Sequence, residues 1–374
     1  MHIVINAFSA RRGGGKTYLR NLLLYCPNDD GLKVTVLVAS SSKLEVTHPN
    51  IQIYRVKFPV DNPLLRVFWE KTRLSQFLRR VKADILFCPG GVLPIASTDQ
   101  WKTVTMFRNM IPFDEEQRKK YPFGYMRLRN FLLSKILLRS MESADLVIFI
   151  SEYAKSIIHR ISEKGIKKSV TIPHGVGKDF FRSNLEGSKA FNFLPQTPYI
   201  LYPSIIDVYK SQLEVVQAVS NLVDRDIDVP VLLMVGEVYG KYGDKVRALI
   251  NNKGLHDKVI LTGGVPYTEM PYLYQHAEFV IFASQSENCP NILLEALASG
   301  CAILCSDRMP MPEFGDDSVE YFDPDNPEQL SYGIEKFIFN KKYLLKKQQV
   351  ALERAKIFSW EKSANLTWQA LFAC

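Results

Sequence analysis

The chain contains no run of 18 apolar residues, so no segment reads as a helix long enough to cross a bilayer. Its six cysteines, Cys26, Cys88, Cys289, Cys301, Cys305 and Cys374, include no Cys-x-x-Cys pair. That pattern argues against a zinc site or a disulfide frame and for reduced thiols in a cytoplasmic protein. Cys374 stands last, whereas a prenylation box needs its cysteine four residues from the end. The opening run HIVINAF is too short for a signal peptide, and no cleavage site follows it. Internal repeats and low-complexity tracts are also missing, which excludes solenoids and disordered linkers. Acid is scarce in one half only. Residues 1–180 carry 29 Lys and Arg against 15 Asp and Glu, while residues 181–374 carry 18 against 24. Two bodies with different partners are implied, and the basic one should prefer something anionic.

What is present is a regular alternation. The apolar, β-branched runs HIVINAF, KVTVLVAS, IQIYRVK, DILFCP, TVTMF and DLVIFIS occupy the first half. YILYPSI, VPVLLMVGE, VILTGG, EFVIFAS and CAILCS occupy the second. Amphipathic stretches of helical length separate them. Continuously apolar strands between helices belong to parallel sheets buried on both faces, so each half predicts its own doubly wound α/β domain. The polar, aperiodic stretch 178–198 marks the break. Open α/β sheets bind ligands at the carboxyl ends of their strands. Two of them facing across a cleft would suit a reaction with one substrate held by each half.

Two stretches carry chemistry. SARRGGGKTYLRNLL, from Ser9, fits a loose Walker A pattern through Gly15, Lys16 and Thr17. A P-loop also needs a Walker B strand ending in Asp, and no apolar run here ends that way. The glycines equally let a backbone approach a diphosphate without lysine chemistry. SENCPNILLEALASG, Ser286 to Gly300, follows the run EFVIFAS. Pro290 suits the start of a helix over Asn291–Ala298, and Gly300 stops it. The N–H groups of Asn291, Ile292 and Leu293 should then be free to meet an anion such as a diphosphate. Glu287 and Glu295 would accept hydrogen bonds from sugar hydroxyls. An ordinary capped helix with surface acids accounts for the same spacing.

SENCPNILLEALASG resembles the Glu-x7-Glu signature of glycosyltransferase family 4, retaining enzymes of the GT-B fold. RGGGKTYLRNLL resembles the family's glycine loop, and ADLVIFISEYAKS with TIPHGVGKDFF the end of its first domain. YILYPSIIDVYKSQLEVVQAV resembles the entry to the second domain, and FSWEKSANLTWQALF the last helix, which in the family crosses back to the first. The resemblance covers nearly the whole chain. It implies an acceptor-binding Rossmann-like domain over 1–178, a nucleotide-sugar-binding one over 179–355, and a returning helix over 356–374. It also implies that Glu287 contacts the donor sugar, that Glu295 holds the ribose and that Lys210 stabilises the leaving diphosphate. One such charge is worth about 4 kcal/mol at ~4 Å and an effective dielectric of ~20. Backbone amides at Asn291 and Ile292 would meet the β-phosphate or sugar. Gly14 and Gly15 would lie near the diphosphate, and Gly264 and Val265 near the base. Neither a cofactor nor a metal is expected.

Two departures stand out. Ser204 or its neighbours stand where the family has an Arg, and Arg108 or Lys16 could supply the charge. The run MFRNMIPF offers Arg108 and Asn109 as sugar or acceptor contacts where the family often has a His. His174 stands where the family commonly has Asn and reads as structural. The expected acceptor is a glycan or lipid-linked glycan of bacterial surface polysaccharide or lipopolysaccharide.

Residues 117–139 carry seven positive charges and no acid, and residues 64–82 carry six against Glu70. Leucines and aromatics interleave with them. This suits peripheral contact with the anionic inner face of a membrane. A solvated helix face over a buried apolar stripe is the alternative, and no nucleic-acid-binding motif accompanies the charge. A GT-B epimerase or phosphorylase and a nucleic-acid-binding P-loop NTPase are the rival functions.

Overall fold

The computed structural model describes all residues except 11–12, 122–123, 182–193, 196–197 and 239. Most of the polar break at 178–198 therefore lies outside the described residues, as do Arg11 and Arg12 of the glycine stretch. Two compact units are present. The first comprises Met1–Phe113, Phe123–Gly175 and Ser359–Cys374; the second comprises Asp114–Pro122 and Val176–Phe358. The sequence division assigns residues 114–122 to the first body, but they pack in the second.

The first unit is built on a sheet of seven strands: β1 (His2–Asn6), β2 (Lys33–Ala39), β3 (Ile51–Val56), β4 (Ile85–Cys88), β5 (Lys102–Phe107), β6 (Leu146–Phe149) and β7 (Ser169–Thr171). Their order is β3-β2-β1-β4-β5-β6-β7, and every pairing is parallel. The second unit holds β8 (Tyr199–Pro203), β9 (Val231–Val235), β10 (Val259–Gly263), β11 (Ala277–Phe282), β12 (Ala302–Ser306) and β13 (Glu320–Phe322). These run in the order β10-β9-β8-β11-β12-β13, again all parallel. Both are doubly wound sheets, the architecture the apolar runs predict.

The central strands of both sheets are apolar because helices cover both faces, whereas the edge strand β3 carries Gln52 and Arg55 and is only partly buried. All five residues of β1 and of β8 are buried. In the second unit Val215, Val216, Val219 and Leu222 of the helix Gln212–Val223 pack on Ile200, Leu232 and Leu304 of the sheet. Each such side chain contributes roughly 1.5–3 kcal/mol when fully buried. In the first unit the last helix, Trp360–Phe372, packs on the helix Gly13–Leu24, with Trp368 Nε1 donating to the Leu22 carbonyl at 3.1 Å.

Strand order reverses direction in chain sequence between β1 and β4 in one sheet, and between β8 and β11 in the other. Such switch points leave a crevice at the carboxyl ends of the two strands. Residues that follow β8 and β11 are therefore brought side by side, however far apart they are in sequence.

Candidate active site

At the β8/β11 switch point, Lys210 closes a short 3-10 turn (Val208–Lys210) and Glu287 lies in the loop after β11. The Lys210 ammonium donates to Glu287 Oε1, and the Ser284 hydroxyl donates to the same oxygen at 2.7 Å. Lys210 is buried, and its ammonium lies over the rings of Tyr209 (4.8 Å) and Phe282 (5.4 Å). Aromatic faces hold a cation that water no longer reaches. The pair is thus a positioned cation and carboxylate with few ways to move.

The helix Asn291–Ala298 has the predicted bounds. It ends where the Ser299 N–H bonds the Glu295 carbonyl, Cys301 bonds Ala296, and Gly300 turns left-handed at φ +66°. A side chain at Gly300 would also press on Leu352. One expectation fails at the other end. The Asn291 N–H already donates to the Cys289 carbonyl at 3.0 Å, because the chain turns tightly through Pro290. It is not free for an anion.

Glu295 is buried and accepts two phenol hydroxyls, from Tyr267 at 2.7 Å and Tyr274 at 3.1 Å. Burial raises its pKa to about 7, against the two hydrogen bonds, which pull it down. Burial first, and then the Glu295 charge, pushes both phenols well up, so they remain donors. The sequence predicts Glu295 as an acceptor for sugar hydroxyls. In the structure, tyrosine hydroxyls take those bonds. Tyr267 is 53% exposed, so its ring stands at the surface while its hydroxyl reaches inward.

Two further predicted donor positions, Gly264 and Val265, lie at the carboxyl end of β10 in the second sheet. Gly264 follows β10 and is exposed, and a Cβ there would overlap the Glu237 carboxylate. Val265 beside it is half-buried. Ser204, where the resemblance wants an Arg, is buried, and its hydroxyl has no partner among the described residues. It supplies no charge.

In the first unit, Gly14 and Gly15 lie within the first turn of the helix Gly13–Leu24 rather than in a loop before it. Gly15 is buried, and a Cβ on it would come within 2.5 Å of Arg108 Nη2. The guanidinium of Arg108 therefore fills the space that the glycine leaves. It also lies 5.9 Å from the Tyr18 ring, and Arg108 Nη1 has no partner among the described residues. Burial lowers its pKa. Asn109 and Lys16 are exposed. A P-loop lysine must reach back over a loop of free amides, and this helical, outward-facing Lys16 does not have that setting. His174 is buried between the rings of Tyr18 and Trp360, at 5.6 and 5.2 Å. A cavity of about 300 Å³ opens beside the same helix, lined by Phe8, Lys16, Leu19, Ser41 and Lys43 among others.

The basic stretch 117–139 divides in two. Lys120 is engaged within the second unit, 3.6 Å from Asp325, and Lys119 pairs with Glu115 at 3.0 Å. The helix Tyr125–Ser143 belongs to the first unit and buries Asn130, Ser134 and Ser140, with Leu137 and Met141. Its Leu128 (59%), Phe131 (49%) and Leu132 (51%) are exposed instead. Leu133 and Leu138 also pack toward the core, so the helix has a buried apolar stripe and, opposite it, an exposed face that mixes apolar and basic side chains. No helix among the described residues is long and apolar enough to cross a membrane.

Two family models match the chain, one over each half. The model described as Glycosyltransferase Family 4 covers residues 12–180, and that described as Glycosyl transferases group 1 covers residues 183–356. Among curated relatives, the O-antigen chain mannosyltransferase B of Escherichia coli is 26% identical over 64% of this chain and 63% of its own length. The N-acetylgalactosamine-N,N'-diacetylbacillosaminyl-diphospho-undecaprenol 4-alpha-N-acetylgalactosaminyltransferase of Campylobacter jejuni is 33% identical over 36% of each. The chain thus spans less than two thirds of the length of either relative. Among solved structures, sucrose-phosphate synthase from Thermosynechococcus elongatus superposes over 100% of this chain and 99% of its own, with a TM-score of 0.78 at 16% identity. That likeness is one of fold, the GT-B fold.

Proposed function

We propose that this chain, a member of glycosyltransferase family 4 with the GT-B fold, is a retaining hexosyltransferase that moves a sugar from a nucleotide-sugar to a glycan or lipid-linked glycan acceptor in the assembly of a bacterial surface polysaccharide or lipopolysaccharide. The observation that carries the donor half of this reading is the Lys210–Glu287 pair at the β8/β11 switch point. Lys210 would meet the diphosphate as it leaves, when its charge is greatest, and so stabilise the transition state more than the bound donor. Glu287, held by Lys210 and Ser284, would accept hydrogen bonds from the sugar. Ile292, in the first turn of its helix, would present its amide to the β-phosphate or sugar, and Glu295 would exchange a phenol for a ribose hydroxyl. Gly264 and Val265 would flank the base. No enzymic nucleophile and no metal enter the scheme.

The acceptor half rests on the first unit. Arg108 offers a desolvated cation whose Nη1 has no partner among the described residues, beside the start of a helix, a setting suited to an anionic group such as a phosphate on the acceptor. The two relatives described above act on O-antigen chains and on a diphospho-undecaprenol-linked sugar by their names. The exposed leucines and phenylalanine of the helix Tyr125–Ser143, set among Arg127, Arg129, Lys135 and Arg139, support peripheral contact with an anionic cytoplasmic membrane face. No nucleic acid partner is proposed.

The test is a thermal-shift screen of GDP, UDP and their sugars, followed by product analysis with and without acceptor and with EDTA. Stabilisation by a nucleoside diphosphate and acceptor-dependent, EDTA-insensitive transfer with retained anomeric configuration is expected. Conversion of the sugar in the absence of any acceptor would favour an epimerase, and phosphorolysis a phosphorylase.

A further inference from the structure

Residues 114–122 lie between β5 and β6 in sequence, yet they belong to the second unit. They form a short helix, Glu115–Lys120, capped by the Asp114 carboxylate on the Gln117 N–H. Gln117 is only 4% exposed. Its Nε2 donates to Gln285 Oε1 at 2.9 Å, and the Lys120 ammonium donates to the same oxygen. Tyr121, next along, hydrogen-bonds Asp207 through its phenol.

Gln285 and Asp207 sit where they control the candidate site. Gln285 is two residues before Glu287. Its N–H donates to the Tyr209 carbonyl at 2.8 Å, and its Nε2 donates to Ser211 Oγ at 2.8 Å and to Asp325 Oδ1 at 2.6 Å. It therefore ties the loop of Glu287 to the residues on either side of Lys210. Asp207 caps the turn that ends in Lys210, through the Val208 N–H at 2.7 Å. One five-residue segment thus grips both loops of the pair. Burying a glutamine for packing alone is unfavourable, since an apolar side chain fills the same space without desolvating an amide. Gln117 Oε1 has no partner among the described residues, so the amide has not been kept to satisfy itself.

We propose that Gln117 and Tyr121 are positioning residues for the Lys210–Glu287 pair, acting through Gln285 and Asp207. The proposal rests on the reading that this pair serves sugar transfer. Lys210 must sit where the leaving oxygen develops charge, and a displacement of about 1 Å costs on the order of 10²-fold in rate. A segment holding two loops in register acts on that placement and not on donor affinity.

The experiment compares Gln117→Leu, Tyr121→Phe, Gln285→Leu and the double variant Gln117→Leu/Gln285→Leu. The probe is whichever of GDP-mannose, UDP-glucose and UDP-N-acetylglucosamine the wild type turns over fastest. Gln117→Leu and Tyr121→Phe should each lower kcat about 5- to 30-fold, with donor KM within about twofold. The double variant should be no slower than Gln285→Leu, because both act through one link. Hydrogen exchange gives a reading that needs no donor: the amides of Val208 and Gln285 should exchange at least about threefold faster in Gln117→Leu. Unchanged exchange at both amides, a kcat within twofold of wild type, or strictly additive losses would each overturn the proposal. Lys210→Met separates the two levels. If it too keeps wild-type turnover, the reading of the transfer site fails; if it is inactive while Gln117→Leu is unaffected, only the positioning role fails.

Discussion

The Lys210 ammonium and the Glu287 carboxylate form an ion pair whose side chains are only 6% and 18% exposed. In the absence of a donor each neutralises the other, so neither charge is left stranded in a dry site. A diphosphate would have to share Lys210 with Glu287, and the sugar would take up the carboxylate oxygen that Lys210 does not hold.

That arrangement predicts unequal consequences for activity and stability. Glu287→Ala should lower kcat about 10²- to 10³-fold, the size of one lost transition-state contact. Lys210→Met should lower kcat comparably. Each single change leaves a charge without its partner and should destabilise the second unit by about 3 kcal/mol, whereas the double change should cost clearly less than the two combined. Steady-state kinetics and chemical denaturation of the three variants check this. Equal, additive losses of stability would mean that the pair is not coupled.

Eleven strands are legible in the sequence because each is a short, largely apolar and β-branched run set between stretches of helical length. The two that are not, β7 and β13, have three residues each and sit at the ends of their sheets. At a sheet edge a strand is paired on one side only, and SVT and EYF carry too little apolar pattern to announce it. The helix Asn291–Ala298, with Glu295 inside it and Glu287 in the loop before it, is legible because Pro290 at its start and Gly300 after its end mark a helix locally. Their partners are not. Tyr267, Tyr274 and Gln285 reach the acids and the lysine loop through tertiary packing, and nothing in VPYTEMPYLY distinguishes a tyrosine that bonds a carboxylate from one that packs. Gln117 lies about 170 residues from Gln285, and only the fold brings them together.

Glu295 predicts a pH dependence. Its folded pKa, about 7, lies above the ordinary carboxylate value because burial disfavours the ion. A carboxyl raised in this way stabilises the folded state fully below its unfolded pKa, near 4.5. That stabilisation is lost as pH rises toward 7, because the unfolded chain ionises first. The shift corresponds to something on the order of 3 kcal/mol. Ligand-free protein should therefore lose stability between about pH 4.5 and 7, and Glu295→Gln should flatten that slope. Nucleotide affinity should change in the opposite direction, since ribose hydroxyls donate best to the ionised acid. Denaturation and calorimetric titration across pH 5–8 measure both. A Glu295→Gln variant with the wild-type pH slope would exclude this carboxyl as its source.

The exposed face of the helix Tyr125–Ser143 predicts salt-sensitive binding to vesicles that contain anionic lipid. Each basic side chain near the surface contributes about 1 kcal/mol. Arg127→Gln with Arg129→Gln should then weaken binding on the order of 30-fold at low salt. Leu128→Ser with Phe131→Ser should weaken it at every salt concentration, because it removes apolar area rather than charge. Lys119 and Lys120 belong to intraprotein pairs, so their neutralisation should matter less. Vesicle flotation separates these outcomes. Equal binding to neutral and anionic vesicles would remove the electrostatic component.

The glycine stretch permits a comparison that separates packing from phosphate chemistry. Gly15 is buried against Arg108, and a Cβ there meets the guanidinium at 2.5 Å. Gly15→Val should push Arg108 out of its place and crowd the first helical turn, with a melting point lowered by several degrees and transfer reduced more than tenfold. Arg108→Ala should relieve the crowding, so that Gly15→Val/Arg108→Ala is more stable than Gly15→Val alone. Gly14 is only half-buried, so Gly14→Val should cost less than Gly15→Val. Lys16 is exposed, and Lys16→Ala should leave both stability and transfer within about threefold of wild type. If Arg108 binds an anionic acceptor group, Arg108→Ala should raise acceptor KM while leaving donor KM unchanged, because the guanidinium would act on one substrate only. The measurements are thermal melting and transfer kinetics with each substrate varied in turn. ATP hydrolysis by the wild type that disappears in Lys16→Ala would overturn this account, because only a lysine held on nucleotide phosphates would behave in that way.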